Sequence, residues 1–270
     1  PQGALTIVAG RPGQGKTTFQ LNLLLNMAKA RPDRKFYFFS YEEARKWLAI
    51  KLIMILAGKT LGTAGDNLYA YLNYLQQKRG TDKQIEAAIQ EFDKLTTSGR
   101  LTICDQSLTA EDLTATISYL AKAGEVGAVF VDYIQKIPLQ RQTQSQRYLE
   151  LKRVSELILD RAKREDLAII LGAQLNRAPA SRTGEAKRPR LEDLRESGDI
   201  EQDASLVLAL FNRAQEAKDE DPWDVAAMAG EVDLEISILK NRAGMAGKCA
   251  TLTFEKAVYT LKNKAKASTW

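Results

Sequence analysis

Along this chain, short apolar runs alternate with longer stretches whose apolar positions recur at helical spacing. That alternation specifies a mostly parallel sheet covered by helices. The first run, Leu5 to Ala9, is followed by a glycine-rich turn and a helix from Lys16 to about Ala30. The helix carries Leu21, Leu23, Leu24, Leu25 and Met27, apolar on most sides as in a helix packed on a sheet. A second strand is read at Lys35 to Ser40, with a helix after it through Ala57. Residues 66 to 98 read as a polar helical excursion at the surface. Further strands fall at Leu101 to Cys104, Ala128 to Asp132, Leu167 to Ala173 and Ser205 to Phe211. Beyond them, Glu235 to Leu239, Ala250 to Phe254 and Ala257 to Leu261 read as a β-meander on the sheet edge. No repeat or low-complexity linker interrupts the pattern, so residues 1–270 are read as one α/β domain.

Composition narrows the chemistry. A formal charge of +5 over 270 residues is too mild to identify a nucleic-acid binder unless the cations cluster. Histidine is absent, which excludes a Ser-His-Asp triad, a His-based zinc site and an imidazole base. The two cysteines, Cys104 and Cys249, share no metal-ligand spacing and fall in apolar, strand-like stretches, so both are expected to be reduced core thiols. No apolar run approaches the ~20 uncharged residues that span a bilayer, and no secretory signal is present. A cytoplasmic location without membrane contact is therefore expected. The chain lacks an initiator Met and begins just before a strand, so it is read as a fragment of a longer protein.

The strongest motif runs Gly10-Arg11-Pro12-Gly13-Gln14-Gly15-Lys16-Thr17, a gapless match to G-x-x-x-x-G-K-[ST] between a strand and a helix. Glycines let the backbone wrap phosphates, while successive N–H groups and the helix N-terminus supply positive potential. Residues Gly10 to Thr18 are the expected ATP cradle, with Lys16 reaching the β- and γ-phosphates and the Thr17 hydroxyl on Mg²⁺. Asp132, closing an apolar strand, is the expected second anchor for magnesium. A base for the attacking water is offered by Ser40-Tyr41-Glu42-Glu43. Ser40 and Glu43 stand in capping-box spacing, which leaves Glu42 as the candidate base and Glu43 as the alternative. Two polar loops stand out, 138–148 and 174–198. The second carries Arg177, Arg182, Lys187, Arg188, Arg190 and Arg195 against Glu185, Glu192, Asp193 and Glu196. Loops this long are commonly functional.

These motifs together resemble the RecA-like motor domain of DnaB-type replicative helicases over nearly the whole chain. The resemblance rests on the phosphate loop, Ser40 to Glu43, Val131-Asp-Tyr-Ile-Gln135, Gly172-Ala-Gln-Leu-Asn-Arg177 and Arg190-Leu-Glu-Asp-Leu-Arg-Glu-Ser-Gly-Asp-Ile-Glu-Gln-Asp203. A sixth element is Lys240-Asn-Arg242-Ala-Gly244. It implies a homo-hexameric ring that hydrolyses ATP with Mg²⁺, moves 5′ to 3′ on single-stranded DNA and unwinds duplex. It further implies that Gln174 senses the γ-phosphate and that Arg195, Glu196 and Gly198 grip the DNA backbone. Lys240 and Arg242 would reach the ATP of a neighbouring subunit, Arg242 as a finger. The family's Ser-x-Glu-Met is here Ser-Tyr-Glu-Glu. Its N-terminal helical domain is not matched, so contacts with primase and a loader are expected upstream of this chain. The alternatives are another RecA-like ATPase, as a recombinase filament or a KaiC-like ring, and a nucleotide-dependent adaptor without motor activity.

Overall fold

A computed structural model describes residues 1–59, 83–140, 147–176, 182, 184–197, 200–220 and 230–264; the side chains of 185, 195–197 and 217–220 lie outside that description. The described chain builds one nine-stranded sheet. Its strands are β1 (Ala4–Gly10), β2 (Lys35–Ser40), β3 (Leu101–Cys104), β4 (Val126–Asp132), β5 (Ala168–Gln174), β6 (Leu206–Asn212), β7 (Glu231–Asn241), β8 (Cys249–Glu255) and β9 (Thr260–Asn263). The order across the sheet is β3-β2-β4-β5-β1-β6-β7-β8-β9. Strands from β3 to β6 are parallel, and β7, β8 and β9 continue the edge antiparallel.

The helices are α1 (Lys16–Ala30), α2 (Arg45–Ala57), α3 (Lys83–Thr97), α4 (Ala110–Ala123), α5 (Arg147–Arg164), α6 (Ile200–Asp203) and α7 (Arg213–Glu220). Successive strand side chains point to opposite faces, and the two cores follow that period. Leu5, Ile7, Tyr37, Phe39, Val129 and Val131 meet α4 and α5 on one face. Val8, Phe36, Phe38, Ala128, Phe130 and Ile170 meet α1 and α2 on the other. Every residue of β1 is buried, as in a central parallel strand covered on both sides.

The α/β architecture with a C-terminal meander is as expected; strand bounds shift by a residue or two, except in the meander, where β7 begins four residues before Glu235 and β9 three residues after Ala257. The excursion at 66–98 is helical from Lys83 to Thr97; the part from 66 to 82 lies outside the described residues. The loop at 174–198 carries local structure where it is described. It contains 3₁₀ turns at Gly184–Lys187 and Leu191–Ser197. Cys249 corrects the expectation of two core thiols. It is exposed, and Cys104 is only half-buried. The two helical layers cover the parallel strands, whereas β8 lies in the antiparallel extension and its first residues, Cys249 and Ala250, are exposed. An apolar strand there need not be core.

Among the described residues no helix is long and apolar enough to cross a membrane.

Candidate active site

Parallel strands end in register, and here their last residues carry the candidate chemistry. Gly10 pairs with Gln174 at the ends of β1 and β5, and Ser40 pairs with Asp132 at the ends of β2 and β4. The carboxyl ends of such a sheet are where open α/β folds bind ligands. Gly13 (φ +74°) and Gly15 (φ +89°) adopt left-handed backbone, which a side chain would strain, and Gly15 hands the chain directly into α1.

A cavity of about 360 Å³ opens over this loop. Its floor is Pro12, Gly13, Gly15, Lys16, Thr17 and Thr18. Glu42, Glu43, Lys51, Gln174, Phe254 and Tyr259 form its walls. Lys16 Nζ donates to the carbonyls of Gly10 (3.0 Å) and Arg11 (3.3 Å), and it lies 5.8 Å from the Tyr133 ring centre. Burial lowers the Lys16 pKa, while Asp132 and Glu42 act in the opposite sense.

Beneath the floor, the Thr17 hydroxyl donates to Asp132 Oδ2 at 2.5 Å. Asp132 is 1% exposed, and its other carboxylate oxygen, Oδ1, is buried without a hydrogen-bond partner. Desolvation pushes the Asp132 pKa up to about 6, against the Thr17 hydrogen bond and Lys16, which lower it. An unpartnered carboxylate oxygen next to a hydroxyl is a donor set that suits a hard divalent cation. These two residues therefore fit the magnesium expected of them.

The two glutamates separate cleanly. The Glu43 carboxylate takes both hydrogen bonds of Lys51 Nζ, at 2.5 and 2.6 Å. Glu42 is exposed and faces the cavity. The capping-box reading of Ser40 and Glu43 is corrected by this geometry. Ser40 Oγ meets the backbone of Glu43, accepting from its N–H at 3.1 Å and donating to its carbonyl at 2.7 Å. The helix starts only at Arg45, after Ala44, which supplies no side-chain cap. Arg45 N–H is instead satisfied by Asp105 at 2.8 Å.

Gln174 lines the cavity, and its main chain is held from below. Gln135 donates to its carbonyl at 2.9 Å and accepts from its N–H at 3.1 Å. The next residue, Leu175, donates its N–H to Gly10 O at 3.1 Å. The phosphate loop and the start of the 174–198 segment thus share a backbone bond.

Two expected cradle residues turn their side chains away. Arg11 and Gln14 are 4% and 1% exposed, and neither lines the cavity. Both reach Glu216 at the start of α7. Sequence reasoning missed this because the partner is some two hundred residues away and carries no motif. It also missed the aromatic wall. Phe254 of β8 lies within 3.8 Å of where a Gly15 side chain would begin. Tyr259, at φ +54°, is fastened to α1 by Asn22, which donates to its carbonyl at 2.7 Å and accepts from Leu261 N–H at 3.0 Å. Lys51 Nζ lies 5.3 Å from the Tyr259 ring centre. Nothing in the meander's sequence marked these rings as cavity residues.

Lys240 and Arg242 are remote from this cavity. Asn241 pairs with Leu206, and Leu206 with Thr6, near the start of β1. The phosphate loop begins after Gly10, about 13 Å further along that strand. Lys240 Nζ donates to the carbonyls of Glu201 (2.5 Å) and Gln202 (3.2 Å), and Arg242 also donates to Gln202 O. Desolvation and then Arg242 hold the Lys240 pKa below its ordinary value. The side chains of Arg195 and Glu196, and all of Gly198, lie outside the described residues. The basic character of their segment is partly spent internally. Arg182 pairs with Glu192 (2.6 Å) and Asp193 (2.8 Å), and Arg188 pairs with Glu235 (2.6 Å).

A family model described as "DnaB-like helicase C terminal domain" matches residues 1–263. The chain belongs to the DnaB-like helicase C-terminal domain family. Among similar curated proteins, the replicative DNA helicase DnaB of Mycoplasma pneumoniae is 29% identical over 97% of this chain and 53% of its own length. That of Geobacillus stearothermophilus is 28% identical over 90% of this chain and 49% of its own length. The chain spans about half the length of the curated relatives it matches. A solved structure described as an ATPase domain has the same fold, with a TM-score of 0.77 at 22% identity over 97% of this chain and 84% of that one. A DnaB-like replicative helicase, solved with a view to its interactions with primase, gives 0.76 at 23% identity, over 97% of this chain and 57% of that one.

Proposed function

We propose that this DnaB-like domain is the ATP-hydrolysing motor of a homo-hexameric ring that moves 5′ to 3′ along single-stranded DNA and unwinds duplex. The observation that carries the reading is the open Glu42 carboxylate facing a cavity floored by Lys16 and Thr17, with Asp132 hydrogen-bonded to Thr17 beneath. A protein that only held nucleotide as an adaptor would need no free carboxylate there.

In this reading, ATP lies with its phosphates on the backbone N–H groups of residues 13–17, and Lys16 balances their charge. Magnesium would be held by Thr17 Oγ1 and Asp132, and when bound it neutralises charge on the β- and γ-phosphate oxygens. Glu42 orients the attacking water and accepts its proton. Gln174 contacts the γ-phosphate side and, through its fixed backbone, joins that contact to the 174–198 segment. Arg195, Glu196 and Gly198 contact the DNA backbone, in keeping with a motor that ignores sequence. Lys240 and Arg242 serve the ATP of an adjoining copy, since their distance from their own phosphate loop leaves them nothing to do there. A primase is the proposed protein partner of the assembled ring.

Tyr259 and Phe254 offer the base a flat apolar wall. Tyr259→Ala is expected to weaken ATP and ADP alike by about tenfold, the effect of losing one stacked base. Titration with a fluorescent nucleotide measures it, and an unchanged Kd for both would remove the wall from the site.

Strand displacement on forked DNA tests the function as a whole. The protein is expected to open a fork with a free 5′ tail in the presence of ATP and Mg²⁺, with ATPase stimulated by single-stranded DNA. Arg195→Ala should raise the DNA concentration needed for half-stimulation by about tenfold and leave nucleotide binding intact. Stimulation unaffected by that change would exclude the DNA assignment of Arg195.

A further inference from the structure

Arg11 occupies a position of the phosphate loop where phosphate chemistry demands no long cation, and its guanidinium is buried. All three of its nitrogens are used. Nε donates to Asn176 O at 3.2 Å, Nη2 to Lys187 O at 2.8 Å and Nη1 to Glu216 Oε1 at 2.9 Å. The Asp193 carboxylate lies 3.9 Å from Nη2. Gln14 donates to the same Glu216 oxygen at 2.8 Å and accepts the N–H of Asn212. Two side chains of one loop therefore hold three separate pieces of chain. They are the exit of β5, the 184–197 segment and the junction of β6 with α7.

A buried arginine loses its hydration, which is recovered only when its planar fork of donors is fully met. Its gain over an apolar side chain is in geometry, because the fork fixes each acceptor in direction as well as distance. Lysine, a single point donor, could not reach carbonyls on two segments and a carboxylate on a third. The backbone that Arg11 belongs to is the one that must close on phosphates. The carbonyls it grips belong to the segment that follows the γ-phosphate side of the cavity.

We propose that Arg11 is the positioning residue that transmits the state of the phosphate loop to residues 184–197, with Glu216 as the carboxylate that orients its guanidinium. When the loop closes on a nucleotide, the Asn176 and Lys187 carbonyls move with the guanidinium, so the segment has one placement for each nucleotide state. The proposal rests on the reading above for what the segment touches, namely single-stranded DNA. The transmission itself needs no DNA.

A passive brace and a transmitter differ in one respect. Removing a brace loosens the segment equally in every nucleotide state, whereas removing a transmitter erases the difference between states. Hydrogen exchange of the 184–197 amides, with ADP and with the imido analogue of ATP, reads that difference directly. Single-stranded DNA affinity in the same two states reads it a second time, because coupling between two ligands is reciprocal. The full protein is compared with Glu216→Gln and Arg11→Lys.

The parent is expected to show state-dependent protection and a DNA affinity ratio of about tenfold between states, within the usual range of such couplings. Glu216→Gln should bring that ratio to within about twofold of one while the analogue binds with unchanged Kd. Arg11→Lys should give the same collapse. Equal loosening in both states, with the ratio kept, would overturn the proposal and leave a brace. A ratio kept in Glu216→Gln would overturn it even if Arg11→Lys failed to fold. A parent whose segment responds to nucleotide without binding DNA would remove the motor reading and leave this one standing. A parent whose segment ignores nucleotide would overturn this one and leave the motor reading intact.

Discussion

Replacing Glu42 by Gln is expected to lower ATP turnover about 10²- to 10⁴-fold, the range lost when a positioned general base is removed. Nucleotide affinity should stay close to that of the parent, because the carboxylate is open and holds no part of the cradle. The comparison that gives this result meaning is Glu43→Gln. The Glu43 carboxylate is already committed to Lys51, at 2.5 and 2.6 Å, so it is poorly placed to take a proton from water. Its loss should cost far less turnover, and its main effect should be to free Lys51 beside the Tyr259 ring. Steady-state ATPase of the two variants decides the matter. An equal loss in both, or a larger one in Glu43→Gln, would reverse the assignment.

Asp132→Asn is expected to abolish hydrolysis and, in the protein free of nucleotide and metal, to raise thermal stability. Burial lifts the Asp132 pKa to about 6 from an ordinary value of 3.8. Between those pH values the folded protein holds a proton that the unfolded chain has released. Stability therefore falls as pH rises through that window and stays reduced above it. The cost at neutral pH is on the order of 3 kcal/mol. Asparagine has no charge to desolvate, and its amide oxygen can still accept from Thr17. Calorimetry at pH 8 should show the variant melting several degrees higher, with the advantage gone at about pH 4. A variant that melts lower at both pH values would mean that the carboxylate contributes to folding rather than being strained by it. The same titration predicts that metal-dependent nucleotide binding by the parent weakens below about pH 6, as Asp132 takes up a proton.

The parts of the site that could be read from sequence are those written in contiguous motifs. Lys16 and Thr17 follow from the spacing of glycines around them. Asp132 follows from an apolar strand ending in a polar residue, because parallel strands finish together at one edge, whereas Gln174 comes only with the family resemblance. The parts that could not be read depend on residues far apart in the chain. Arg11 and Gln14 have the same motif address as their neighbours. Glu216, with the Asn176 and Lys187 carbonyls and the Asn212 N–H, pulls them away from the cavity. Phe254 and Tyr259 reach the cavity because the meander folds back along α1, and nothing in their local pattern marks that. The capping box fails for a related reason. Ser40 closes a turn before the helix, and Asp105 from β3's far end meets the first helical N–H instead. Cys249 escapes the core because apolar alternation reports a strand but not what covers it. The six-motif resemblance reaches further than any of these local patterns, and the family match over residues 1–263 bears it out.

In the proposed ring each ATP site is completed by a second copy, with Glu42 from one chain and Arg242 from the next. Subunit mixing tests it most directly. Glu42→Gln and Arg242→Ala proteins, each expected to be nearly inactive alone, are co-expressed in equal amounts and assayed for DNA-stimulated ATPase. Random assembly leaves roughly a quarter of the boundaries with an intact Glu42 facing an intact Arg242. Turnover is expected to return in the mixture to a comparable share of the parent's. Turnover no greater than the sum of the two variants measured separately would contradict it.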